Sequence, residues 1–153
     1  MEVRKFTENV EMYLKTIYLL EVETKAPART GAISKQLRIS PASVTEMLDR
    51  MQLEGLVRHR KYRGVATTTK GRNIARWILK KHCLIERFLI EALGVKDPEV
   101  IHEQADAMEH ILHDDIAMKL SRIVKVPKEC PDCYDLGEEL CGKLAVRGKR
   151  VAR

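Results

Sequence analysis

SPASVTEMLDRMQLEGLVRHRKYRGVATTT, residues 40–69, decides the fold. Ser40 suits a helix N-cap and Pro41 the first helical position. Val44, Leu48 and Met51 recur at helical spacing and turn inward, which leaves Ala42, Ser43, Thr45, Glu46, Asp49 and Arg50 outside. Gly55 ends that helix. Leu56–Arg60 then reads as a strand, Lys61–Gly64 as a turn, and Val65–Thr69 as a returning strand. The result is a helix followed by a hairpin with a basic tip.

Upstream, a short helix over about residues 31–38, with Ile33 and Leu37 inward, leads into this segment through Arg38 and Ile39. Thr7 caps a first helix whose apolar stripe is Val10, Tyr13, Leu14, Ile17 and Leu20, and which stops before Lys25-Ala26-Pro27. Met12 lies off that stripe. Helix, helix, turn, helix and basic hairpin make a winged helix-turn-helix. Small and hydroxyl residues at Ser40, Ala42, Ser43 and Thr45, with Glu46 and Arg50 behind them, let the third helix approach base edges in a major groove. Glu46 can accept from a cytosine amine. The plainer reading is a capped surface helix in a generic bundle, since Ser and Thr favour helix starts for capping alone. The hairpin favours the first reading, because Arg58, Arg60, Lys61 and Arg63 on a wing would lie along phosphates.

The charge follows the same division. Residues 1–76 hold 15 basic and 8 acidic side chains, whereas residues 77–125 hold 7 and 9, within a net charge of +6. A polyanion-binding front joined to an acidic half able to hold a cation is the implied arrangement. With 153 residues, 44% hydrophobic and 33% charged, the chain can bury one sizeable core or two small ones. No apolar run approaches a membrane span and MEVRKFTENVEMYLK has no signal-peptide core, so a cytoplasmic protein is expected.

After Thr69-Lys70-Gly71 a long helix is expected to about Leu93, stopped by Gly94. Ala75, Ile78, Leu79, Leu89 and Leu93 share a face with His82 and Glu86, a pair that alone would read as a core histidine satisfied by a carboxylate. HEQADAMEHILHD, residues 102–114, changes that reading. Taken as one helix, it gathers His102, Asp106, Glu109, His110 and His113 into an arc of about 100°. This arc borders the apolar side formed by Ile101, Ala105, Met108, Leu112 and Ile116. Charged residues at such spacing also serve plain solvation. Two stripes of imidazole and carboxylate donors together point to a divalent metal.

The C-terminus carries Cys130-Pro131-Asp132-Cys133 and Cys141. A closed zinc or iron–sulfur site wants four ligands and three are local, so a bound metal, a redox-labile thiol pair and an inert tail all stay open. Arg147-Gly148-Lys149-Arg150 reads as a solvated basic end.

Glu11-Met12-Tyr13-Leu14, the helix-turn-helix, Lys81-His82-Cys83-Leu84-Ile85-Glu86-Arg87 and the run His102 to His110 resemble the diphtheria toxin repressor family in order and spacing, over about residues 7–125. That family comprises dimeric, metal-activated transcriptional repressors with iron-sensing and manganese-sensing branches. The resemblance implies a primary metal site at Met12, Asp106, Glu109 and His110, and an ancillary site including His82, Glu86 and His102. His113 has no counterpart and is kept beside the ligands, not among them. The iron branch has Met and Cys at the positions of Met12 and Asp106, and the manganese branch has Asp and Glu. Here the two patterns mix, and Lys15 stands where the manganese branch has a further acidic ligand. Fe(II) is therefore favoured, with Mn(II) next.

A longer family architecture adds an SH3-like domain, for which the 28 residues after Lys125 are too few. The short form is expected, its ancillary metal completed by water or another side chain.

The expectation is thus a mainly α protein in three parts. Residues 1–72 form a winged helix-turn-helix, 73–126 an all-α dimerisation and metal-sensing domain, and 127–153 a cysteine-containing basic tail. It acts as a homodimeric repressor on pseudo-palindromic double-stranded operator DNA, not as an enzyme, with no membrane or small-molecule substrate as partner. Competing readings are a redox or iron–sulfur regulator using Cys130, Cys133 and Cys141, and a metal-dependent hydrolase.

Overall fold

A computed structural model describes residues 6–124. The chain divides into two compact units, the first reaching to Ala75 and the second beginning at Arg76.

In the first unit α1 (Glu8–Thr24), α2 (Thr30–Leu37) and α3 (Pro41–Leu53) precede a hairpin of β1 (Val57–Arg60) and β2 (Gly64–Thr67). Local chemistry sets the starts: the Thr7 side chain accepts from the Val10 N–H, and the Ser40 hydroxyl accepts from the Ser43 N–H with Pro41 following. The core is Tyr13, Leu14, Ile17, Tyr18, Ile33, Val44, Leu48, Met51, Leu56, Val57 and Val65. Val10, Leu20 and Leu37, expected inside, are only half-buried, while Tyr18 and Met47 join the buried set.

β1 and β2 pair antiparallel, with Arg58 opposite Ala66 and Arg60 opposite Gly64. The hairpin is anchored at both flanks. Ala28 and Val65 exchange two backbone hydrogen bonds of 2.8 and 2.9 Å, and the Glu21 carboxylate accepts from the Thr67 N–H and hydroxyl. Gly64 (φ +90°) lies so close to this strap that an added Cβ would stand 2.6 Å from the Ala28 carbonyl oxygen.

Thr68 and Thr69 do not continue the strand, as the sequence had suggested. The Thr68 hydroxyl donates to the Gly55 and Leu56 carbonyls and accepts from the Gly71 N–H, which starts α4 (Thr69–Glu91) there. α4 runs on into the second unit, followed by α5 (Pro98–Met108) and α6 (Asp114–Ile123). Asp97 caps α5, accepting from the Glu99 and Val100 N–H groups.

Two apolar clusters hold the second unit. Ile85, Leu89, Ile101 and Ala105 form one, and Leu84, Ala117 and Val124 the other, with Trp77, Phe88 and Leu120 packed on it. Leu93, expected on the inner face of α4, falls beyond the helix end and is exposed.

The single helix expected through residues 102–116 is two. α5 stops at Met108, residues 109–112 turn, and His113 caps α6 with its Nδ1 accepting from the Asp115 N–H at 3.4 Å. His113 therefore leaves the donor stripe, and Ile116 is exposed, not inward. Asp114 and Asp115 in the first turn of α6 favour the new start through the helix dipole.

Asp114 also locks this turn to α4. Its Oδ1 accepts from the Trp77 indole at 2.8 Å and meets the Lys81 ammonium at 2.6 Å, while Lys81 donates to the Leu112 carbonyl at 2.8 Å. Partial burial pushes the Asp114 carboxyl up, but the hydrogen bonds from Lys81 and Trp77 and the charges of Lys81 and His113 outweigh it and hold it below the ordinary carboxylate range. A depressed carboxylate contributes stability above its unfolded pKa and loses it as pH falls through the folded one. Asp114→Asn is therefore expected to cost about 1 kcal/mol at neutral pH, a figure kept low because the side chain is half exposed. Urea unfolding at pH 7 and at pH 3 should show the difference shrinking in acid, and an equal cost at both would rule out the ion pair as its source.

Candidate metal centre and nucleic-acid interface

α4, α5 and the turn after α5 bring six of the expected ligands together. His82 is fully buried at the centre. Its Nε2 lies 2.9 Å from Glu86 Oε1, one turn along α4, and its Nδ1 lies 2.6 Å from Glu109 Oε2 and 3.2 Å from Asp106 Oδ1. His102 stands across from it, with Nδ1 3.3 Å from Glu86 Oε1 and Nε2 3.2 Å from Asp106 Oδ2. His110 Nε2 closes the row 3.2 Å from Glu109 Oε1. The two imidazoles of His82 and His102 meet edge to face, with centroids 5.0 Å apart.

The chemistry of this set fits a divalent transition metal. One ligand atom each from His82, His102 and Asp106 lie within 4.8 Å of one another. Imidazole nitrogen with carboxylate oxygen is a donor mixture that Fe(II), Mn(II) and Zn(II) all accept. Glu86 and Glu109 are each 1% exposed. Burying carboxylates costs several kcal/mol per charge unless cations or hydrogen bonds compensate, and a bound cation in contact with them offsets that cost. Asp106, with its side chain 47% exposed, gives the cluster its open side.

The grouping cuts across the division implied by the resemblance. Asp106, from the primary set, stands with His82 and His102 of the ancillary set, and Glu109 is tied to His82. Met12 belongs to the first unit, where it is 36% exposed on α1. His113 lies outside the cluster. Cys130, Cys133 and Cys141 fall outside the described residues.

In the first unit, Ala42, Ser43, Thr45, Glu46, Asp49 and Arg50 are all exposed on α3, as its spacing had predicted. The Ser40 and Ser43 hydroxyls lie 2.9 Å apart within the cap, and the Thr45 hydroxyl donates to the Pro41 carbonyl at 3.0 Å. Glu46 and Arg50 stand 4.0 Å apart, a weak exposed pair that leaves both groups available. The His59 N–H donates to Gln52 Oε1 at 2.6 Å, which joins β1 to the same helix. Arg60, Lys61 and Arg63 are exposed at the wing, and Lys61 lies over the exposed Tyr62 ring. Glu21 and Gln52, which hold the wing in place, were missed in the sequence, where nothing but a polar residue on a helix marks them.

Comparison with known proteins covers both units. Residues 5–65 match the model for the iron dependent repressor N-terminal DNA binding domain, and residues 68–135 match the one for the iron dependent repressor metal binding and dimerisation domain. The chain is 36% identical over 124 residues to the iron-dependent repressor IdeR of Mycobacterium leprae, an alignment covering 81% of this chain and 53% of that protein. It thus spans about half the length of that relative. An uncharacterized HTH-type transcriptional regulator of Methanocaldococcus jannaschii is 38% identical over 114 residues, covering 74% of this chain and 90% of that protein. Among solved structures, the manganese regulator SloR superposes with a TM-score of 0.68 at 35% identity, covering 82% of this chain and 58% of that one.

Proposed function

The chain belongs to the iron-dependent repressor family, and on that premise we propose that it is a cytoplasmic, homodimeric transcriptional repressor that binds pseudo-palindromic operator DNA when loaded with Fe(II) or Mn(II). The observation that carries the metal part is the buried cluster, in which His82 on α4 meets Asp106 on α5 and Glu109 in the following turn. A divalent cation held by these groups would supply positive charge against buried carboxylates and join α4 to α5. Glu86, against His82 Nε2 and His102 Nδ1, orients both rings and sets which nitrogen each presents. The relatives divide between iron and manganese, and the Met12 thioether carried over by resemblance favours Fe(II).

The DNA part rests on α3 and the wing. Ser40, Ala42, Ser43, Thr45, Glu46 and Arg50 offer base contacts, and Arg60, Lys61 and Arg63 phosphate contacts. Repressor domains account for both units, which leaves the hydrolase reading without a place. The thiol-sensing alternative rests on Cys130, Cys133 and Cys141, which lie outside the described residues.

The test is anaerobic titration of labelled genomic fragments with and without each divalent metal. Selected fragments should bind at least about tenfold tighter with Fe(II) or Mn(II), within the usual range of allosteric coupling. Neutralising Lys61 or Arg63 should weaken all sequences alike and flatten the salt dependence, whereas changing Ser43 or Glu46 should alter the ranking of sequences. Metal-indifferent binding would refute the sensor. Identical behaviour of the two variant classes would remove base reading from α3.

A further inference from the structure

Cys83 follows His82 on α4 and is 1% exposed. Its sulfur is joined in a disulfide. The chain has four cysteines, so the second sulfur belongs to Cys130, Cys133 or Cys141, all of which lie outside the described residues. The pattern Cys130-x2-Cys133-x7-Cys141 is one ligand short of a closed thiolate site, and Cys83 is a fourth thiol that meets one of the three.

The surroundings of Cys83 call for negative charge. At 100° per residue, Arg76, Lys80, Cys83 and Arg87 fall within one arc of about 60° on α4, and His82 lies outside it. Arg87 is paired with Glu91. Lys80 is only 7% exposed, and among the described residues its ammonium has the Trp77 ring at 5.0 Å but no ion pair or hydrogen bond. Arg76 Nε is buried without a hydrogen-bond partner. Cations withdrawn from water are costly unless an anion offsets them, and a divalent metal held by four thiolates carries a net double negative charge.

The disulfide also bears on the kind of metal. Thiols kept reduced, as in the cytoplasm proposed for this protein, leave the bonded pair as two thiols at close range. Ligand sulfurs around one zinc ion, each about 2.3 Å from it, stand nearly in contact, whereas those at the corners of an iron–sulfur cluster are held apart by the cluster itself. Sulfurs near enough to bond to each other match the single ion.

We propose that Cys83, Cys130, Cys133 and Cys141 form a tetrahedral four-thiolate Zn(II) site, separate from the imidazole and carboxylate centre, that fastens the C-terminal segment to α4 beside His82. Each thiol gives up its proton as its Zn–S bond forms, and no electrons are transferred. Arg76 and Lys80 offset the charge of the loaded site. The site goes beyond the repressor reading and shares no ligand with the sensor.

The experiment is cadmium NMR on the full chain, reduced with a phosphine and loaded with Cd(II) in place of Zn(II). Thiolate ligands move the cadmium resonance far downfield of the position given by nitrogen and oxygen donors, so the two sites are read separately in one spectrum. The parent should show a four-thiolate resonance beside that of the His82 centre. Cys83→Ala should move it upfield to the three-thiolate position and lower Zn(II) affinity at least about 100-fold, one ligand's share of a structural zinc site, whereas Asp106→Asn should leave it in place. The parent spectrum decides the matter even if Cys83→Ala fails to fold. A three-thiolate resonance in the parent would remove Cys83 from the site. No thiolate-bound cadmium in the reduced parent, or an iron–sulfur chromophore in the protein as isolated, would overturn the site altogether. Its loss with an intact Fe(II) or Mn(II) response in DNA binding rejects this site alone. A persisting resonance with metal-indifferent DNA binding rejects the sensor alone.

Discussion

Replacing His82 by Ala is expected to abolish metal-stimulated DNA binding and to lower Fe(II) and Mn(II) affinity at least about 100-fold, beyond the range for losing a group that only supports a ligand. His82 is the residue on which Glu86, Asp106 and Glu109 all converge, and no neighbour occupies the same position. Its removal also leaves a cavity beside buried carboxylates, so a folding defect must be separated from a sensing defect. Asp106→Asn does this, because its half-exposed side chain can be changed without opening the core. Both variants should retain the parent's weak, metal-free DNA affinity. By linkage, the metal-induced gain in DNA affinity in any partly responsive variant must equal the DNA-induced gain in metal affinity. Parent-like responses from His82→Ala, Asp106→Asn and Glu109→Gln would place the sensing site elsewhere.

The second large effect is structural. A methyl group at Gly71 would stand 2.0 Å from the Leu56 carbonyl oxygen and 3.1 Å from Leu14 Cδ2, at the point where α4 starts against the approach to β1. Neither the carbonyl, which accepts from the Thr68 N–H and hydroxyl, nor fully buried Leu14 can give way cheaply. Gly71→Ala should destabilise the first unit by about 3 kcal/mol through overpacking. Gly31→Ala is the control, since a Cβ there has nothing within 4 Å. Equal melting temperatures for the two variants would contradict this packing.

The winged helix was legible because its signals are local. Ser40-Pro41 starts a helix, Gly55 stops it, and a basic turn between alternating strands needs no distant information. Gly71 carried no such signal, as its constraint comes from Leu56 and Leu14, residues far from it along the chain. The break after Met108 was misread for a related reason. No Gly or Pro marks it, and an uninterrupted wheel drew His113 and Ile116 onto faces they do not occupy. The start signal of α6, a polar cap followed by Asp114 and Asp115, was present but was absorbed into the stripe. Spacing did place His82 with Glu86 on one face of α4 and His102 with Asp106 on one stripe of α5. It could not show that Asp106 and Glu109 both reach His82, because that depends on how two helices pack.

Trp77 is the sole tryptophan of the chain, and its indole donates to Asp114 at the end of the turn that carries Glu109 and His110. The Lys80 ammonium lies 5.0 Å and that of Lys81 5.8 Å from its ring centroid. Indole emission depends on nearby charge and hydrogen bonding, so any shift of this turn alters the colour and brightness of the chain's one indole. The protein thus contains its own optical gauge of the turn that carries Glu109 and His110, readable by selective indole excitation in unlabelled solution.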